Sequence, residues 1–192
     1  FPFGWNECGT AWSAMVLPQL EQSGLYDTLN FSGGWTGGAN AEACRTVISV
    51  YRCPSMAVPL SYPSGVGNGI EGRVPTSYGG CASSEALTDN PVAVQGGPSL
   101  RDSVYQDGTP RGTQNGLLFG NSSITFAAIR DGSSNTMLLG ERLTDPDYQK
   151  DSQNMDYWCI GGPQIQRWGP SNGTEFTEIL GSTAVPMNAR HN

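Results

Sequence analysis

Charge is scarce in this chain of 192 residues. Asp, Glu, Lys and Arg together make up 14% of it, where about 25% is usual. Lysine is almost absent: Lys150 stands alone beside the arginines, and His191 is the single histidine. With so few basic groups and a formal net charge of -7, the chain lacks the basic stripe that a phosphate backbone or an anionic membrane surface requires. No window approaches the roughly 18 consecutive apolar residues of a spanning helix, and no charged-then-apolar export signal opens the sequence. The expectation is a chain without membrane insertion, soluble or lacking its export segment. The low charge also excludes a coiled coil, a charged helical bundle or a solvating tail.

Chemistry-bearing motifs are missing as well. There is no Cys-x-x-Cys pair, and one histidine leaves no imidazole set for zinc. Neither a Gly-x-Ser-x-Gly elbow nor a phosphate-binding Walker sequence occurs. A Ser-His-Asp or Cys-His site would have to rely on His191 close to the chain end. Carboxylate pairs such as Glu141 and Glu175 mean little among 17 acidic residues. The run Asp145, Asp147, Asp151 and Asp156 offers oxygen ligands at close spacing, but without the central glycine and terminal glutamate of a calcium loop, so a solvated acidic loop is the expectation. No enzyme, no cofactor, no catalytic residue and no metal ligand follow from these residues.

What is abundant is glycine (26), proline (13) and aromatics (five Trp, seven Tyr, six Phe). Gly and Pro account for about a fifth of the chain against a usual figure near 12%. This composition predicts an irregular, loop-rich globular protein with enough large apolar surface for a core. Five cysteines, Cys8, Cys44, Cys53, Cys81 and Cys159, are scattered through it. With few lysines and much Gly, Asn, Ser and Thr, they point outside the cytoplasm and make all five disulfide candidates. An odd count leaves one thiol over, and spacing does not choose among the pairings. Cys53 is the expected participant, with Cys44 as its nearest candidate partner; the competing expectation is five buried reduced thiols.

Along the chain, Phe1-Pro-Phe-Gly-Trp5 reads as a packed aromatic arm. Apolar residues from Ala11 to Phe31 fall near helical spacing and predict two short helices meeting near Ser23-Gly24. A glycine-rich loop over 32–38 and a short helix over Asn40–Thr46 follow. Val47–Cys53 is β-branched and predicts a strand ending at Pro54. Between 55 and 116, the pairs Asn68-Gly69, Asp107-Gly108 and Asn115-Gly116 signal turns. Leu117–Phe119 predicts a short strand, Ser123 an N-cap for a helix reaching Ile129, and Thr136–Arg142 a buried strand. Asn30, Asn121 and Asn172 each open an Asn-x-Ser/Thr triplet in an expected loop or helix cap and are candidate glycan acceptors.

Several segments in order resemble one known family. They are Gly9-Thr-Ala-Trp-Ser13 with Leu17-Pro-Gln-Leu-Glu-Gln22 and Leu25-Tyr-Asp27, then Tyr51-Arg-Cys-Pro-Ser55 and Thr76-Ser-Tyr-Gly79. Ile129-Arg-Asp-Gly-Ser-Ser-Asn-Thr136 with Leu139-Gly-Glu141 and a terminal Asn188-Ala-Arg-His191 complete the set. Together they are similar to a large bacterial family of unknown function with prepilin-type export signals and a C-terminal H-x(9)-D-G motif. The resemblance implies an α+β fold, a pilin-like head with short N-terminal helices packed on a mostly antiparallel sheet and long irregular loops. It implies one extracellular or cell-surface domain over 1–192 without the usual N-terminal hydrophobic helix. Members usually carry Asp-Pro after Cys-Pro-Ser, where this chain has Met56 and Ala57.

The loop Asp131, Gly132, Ser133, Asn135, Thr136 with Glu141 has a structural explanation of its own. Glycine permits positive φ, and the polar side chains can bond neighbouring backbone and lock a turn. The functional expectation is a secreted structural subunit that associates with copies of itself into a pilus-like, tubular or fibrous filament, bearing attached glycans. Phe1, Phe3 and Trp5 form the arm expected to dock on a neighbouring copy. The alternatives are a monomeric carbohydrate-binding module stacking sugars on Trp5, Trp35, Trp158 or Trp168, and a minor pseudopilin.

Overall fold

Breakers recur every few positions in the N-terminal third, so its apolar residues form single turns rather than long helices. In a computed structural model describing residues 1–4, 10–33, 35, 37–56, 60, 72–84, 115–119, 122–142, 158–159 and 180–183, helix α1 spans Trp12–Met15. A 3₁₀ turn with Pro18 near its start follows over Leu17–Leu20. Glu21 then takes a left-handed conformation with φ 60°, which ends the run before α2, Ser23–Tyr26. The predicted helix over Asn40–Thr46 lies slightly earlier, as α3 at Gly38–Ala43. Among the described residues no helix is long and apolar enough to cross a membrane.

The described sheet has three strands. Strand β1, Tyr78–Ser83, lies between β2, Leu139–Glu141, and β3, Leu180–Ser182. β2 runs antiparallel to β1, pairing Tyr78 with Glu141 and Gly80 with Leu139. β3 runs parallel, pairing Gly80 with Leu180 and Ser83 with Ser182. The chain is therefore α+β, and its described sheet is mixed rather than mostly antiparallel.

β1 is buried on both faces because two of its residues have no side chain. Successive strand residues point to opposite faces. A Cβ on Gly80 would lie 2.9 Å from Leu118 Cδ1 and 3.0 Å from Trp12 Nε1, while one on Gly79 would lie 2.6 Å from Arg142 Cδ. Trp12 and Leu118 thus press on one face and the aliphatic stem of buried Arg142 on the other.

Four local expectations are corrected. Val47–Cys53 is not a strand but contains a 3₁₀ turn over Ser49–Tyr51. Ile48 and Tyr51 are buried whereas Val47 and Val50 are exposed, a period of three that overrides the β-branched composition. Leu117–Phe119 forms bends, since Leu117 N and Leu118 N both turn to the single carbonyl of Cys81. Ser123 caps nothing: the segment makes only a 3₁₀ turn, Phe126–Ala128, entered at Thr125. The expected buried strand over Thr136–Arg142 shortens to β2, where Leu139 and Glu141 are exposed.

The core gathers around Tyr51. Its ring meets Trp12 edge-on at 6.0 Å and stacks with Trp158 at 6.2 Å. Its hydroxyl donates to Ser13 O at 2.5 Å, and its carbonyl accepts from Ser77 N at 2.8 Å and Thr76 Oγ1 at 3.0 Å. Trp158 is tied in turn by Nε1 to Thr46 O at 3.0 Å and by its carbonyl to Ser13 Oγ.

Two predictions follow from this packing. A Cβ on Gly116 would meet the backbone of Cys81 and Ala82 at 2.5 Å, while Gly24 has nothing within 4 Å. Gly116→Ala therefore destabilises by about 1–3 kcal/mol, and Gly24→Ala, in α2, stabilises by about 0.4–1 kcal/mol; urea unfolding of the two variants measures both. Burial raises the Tyr51 pKa above the ordinary tyrosine value. The unfolded chain then sheds this proton first, so the stability it contributes is complete below about pH 10 and is lost as pH rises towards the folded value. Tyr51→Phe flattens that alkaline fall in the urea midpoint, while costing about 1–3 kcal/mol at neutral pH by leaving the Ser13 carbonyl without its donor.

Candidate assembly surface

The aromatic arm is tied to its own chain. Phe1 N donates to Ile124 O at 3.0 Å, and Gly4 N donates to Phe119 O at 2.8 Å. Trp12 N returns a bond to Gly4 O at 2.8 Å. Gly4 is buried, and a Cβ there would meet the Leu118 backbone at 2.5 Å. The Phe1 ring rests on Phe126 with centroids 4.5 Å apart, and Phe3 is half-buried. Where the sequence predicts an arm docking on a neighbouring copy, Phe1 and Gly4 have partners within the chain, and backbone bonds fix the segment there. Trp5 lies outside the described residues.

The segment beyond the arm's docking site faces outward. Phe126 is 72% exposed despite Phe1, Met137 46% and Leu139 40%. β2 carries Leu139, and among the described residues its outer edge has no partner strand. Isolated exposed apolar residues are ordinary; three large ones within 126–141, with a strand edge unpaired among the described residues, are the candidate for an association surface. The sequence predicts a short helix up to Ile129 and a buried strand over Thr136–Arg142 here, not an exposed apolar stretch. The signal that could have found it is the alternation Met137–Leu138–Leu139, in which only Leu138 turns towards the core cluster.

Between these exposed residues sits the Asp-Gly-Ser-Ser-Asn loop, which closes on itself as expected. Gly132 has φ 84° and ψ 137°, a region left essentially to glycine. Asn135 N donates to Gly132 O at 3.0 Å and Asn135 Nδ2 to Asp131 O at 3.0 Å. Thr136 Oγ1 donates to Gly132 O at 3.1 Å. Ser133 joins Asn135 in a 3₁₀ turn. Asp131 and Glu141 are exposed. The bonds all run to the loop's own backbone, and they set the direction in which β2 leaves.

The four described cysteines, Cys44, Cys53, Cys81 and Cys159, are present as thiols, and the pairing expected for Cys53 is not formed among them. Cys53 is half-buried in the turn that closes from Met56 N to Cys53 O, with Sγ 3.1 Å from Ser55 Oγ; Cys44 is fully buried at the end of α3. Burial raises the Cys81 thiol pKa, partly offset by its contact with the Ser83 carbonyl. Asn30 is exposed and holds Ser32 N through Oδ1 at 3.1 Å, while its backbone pairs with the buried Asn40 side chain. Trp35 and Trp158 are 1% and 0% exposed, so neither is a sugar-stacking platform. Cys8, Asn121, Asn172, Trp168, His191, Glu175 and the aspartates from 145 to 156 lie outside the described residues. Among the described residues no group of three potential metal ligands occurs.

Comparison with known families places the chain. Residues 1–187 match the family model SBP_bac_10, described as "Protein of unknown function (DUF1559)". The chain belongs to this bacterial family. No curated protein and no solved structure matches it. The DUF1559 match runs across all the described elements, from the arm through the Asp131 loop to β3.

Gly132→Ala tests the loop's structural role. It forces a Cβ into a backbone region costing about 1–3 kcal/mol at a position with open space around it. The expected result is a lower thermal midpoint with an unchanged far-ultraviolet spectrum.

Proposed function

We propose that this DUF1559 chain is an extracellular structural subunit with a pilin-like head that associates with copies of itself into a surface filament. The observation that carries the reading is the exposure of Phe126, Met137 and Leu139, the last in β2, whose outer edge has no partner strand among the described residues. The low charge content supports it, because a chain of net charge -7 associates most readily through apolar and backbone contacts that hold few like charges together. The likeness to prepilin-type proteins adds the cell exterior and the filament. A surface that repeats head-to-tail, complementary to a different face of the next copy, generates an open helical array rather than a closed dimer. With the arm folded back, the 126–141 segment takes over the docking role.

Negative-stain microscopy and sedimentation of purified protein test this directly. The unaltered chain forms filaments. The double variant Phe126→Asp, Leu139→Lys stays monomeric and folded, with a thermal midpoint lowered only by the loss of the Phe1–Phe126 ring contact, since both side chains are otherwise largely exposed. An unaltered chain that remains monomeric at high concentration overturns the function. Filaments of normal length from the double variant overturn the surface.

A further inference from the structure

The dipeptide Trp158-Cys159 is held unusually firmly for so short a described segment. Trp158 N donates to Val74 O at 3.4 Å, and Val74 N donates to Cys44 O at 3.0 Å, so the backbone of one residue, Val74, ties the Cys44 and Trp158 segments to the same place. The Trp158 side chain is fixed by Thr46 and its carbonyl by Ser13. Cys159 Sγ then points at the Cys44 carbonyl from 3.9 Å, across 115 residues of sequence. Both cysteines are 0% exposed.

From this placement we infer that Cys44 and Cys159 are the bridging pair of the chain and form a disulfide when it folds in the presence of a disulfide oxidant. The structure holds them as thiols. In the exchange, the thiolate of one cysteine attacks a sulfur of the oxidant's disulfide, expelling one thiol and leaving a mixed disulfide. The thiolate of the second cysteine attacks the cysteine sulfur of that mixed disulfide and expels the second thiol. Two cysteine thiols and one oxidant disulfide become one protein disulfide and two oxidant thiols, each cysteine proton ending on a departing thiolate. Because both sites are sealed in the finished fold, the exchange takes place while 158–159 is still undocked. The bridge then closes a long loop, which lowers the entropy of the unfolded chain. Cys53, half-buried beside Ser55, is left as a thiol.

Formation in the cell rests on the extracellular reading above; formation in the test tube does not. The full chain is unfolded and reduced, refolded in a mixture of oxidised and reduced glutathione, alkylated and digested for mass mapping. The expected result is a Cys44 peptide joined to a Cys159 peptide, a mass lower by two hydrogen atoms than the sum, and a thermal midpoint that falls on adding reductant. A chain with both Cys44→Ala and Cys159→Ala, substitutions that keep small apolar side chains in the core, has a midpoint insensitive to reductant. Alkylation of both Cys44 and Cys159 after oxidative refolding, or a link from either to Cys8, Cys53 or Cys81, overturns the pairing. Material taken directly from its source separates the two readings: if it carries thiols at both positions while refolded protein carries the bridge, the pairing stands and the extracellular location fails.

Discussion

The phenol of Tyr51, set between Trp12 and Trp158 and bonded to the Ser13 carbonyl, is the constraint on which the described core depends. A buried hydroxyl is tolerable only with an acceptor in place, so α1 must present Ser13 at one position and angle. The two tryptophans come from sites more than a hundred residues apart, and each meets the same ring. The Tyr51 carbonyl at the same time receives Ser77 N and Thr76 Oγ1 just before β1. One residue thereby sets the positions of α1, the start of β1 and the 158–159 segment relative to one another.

β1 answers that constraint by having little of its own to pack. Glycines at 79 and 80 weaken a strand through chain entropy and missing side chains, and here the lost contacts are replaced by Trp12, Leu118 and the Arg142 stem pressing directly on the backbone. The glycine abundance that marks the sequence as loop-rich is, at these positions, a device for close packing.

How much of this was legible in the sequence depends on whether local pattern or distant contact decides each element. The turn at Asp131-Gly132 was readable because its bonds are all to near neighbours. The short N-terminal helical turns were readable in outline, but the break falls at Glu21, and Gly24, expected at the junction, lies inside α2. Val47–Cys53 misled because β-branched composition says nothing about Tyr51 needing to reach Ser13, and only a period of three lets Ile48 and Tyr51 both turn inward. The arm's aromatic character was legible, but its acceptors at Phe119 and Ile124 are far along the chain. The outward turn of Phe126 and Leu139 was hidden for the same reason: hydrophobicity predicts burial without saying whether the burial lies inside one chain or between two.

The parallel pairing of β1 with β3 carries a kinetic consequence. Ser83 meets Ser182, and Thr183 N bonds back to Ser83 O, so the sheet joins positions about 100 residues apart. Contacts of such separation demand loop closure before they return any stabilisation, and chains dominated by them fold in milliseconds to seconds rather than microseconds. The N-terminal half cannot complete its sheet alone. Until residues near 180 arrive, β1 has one edge unfilled, and a newly made chain must be kept apart from its neighbours for that interval.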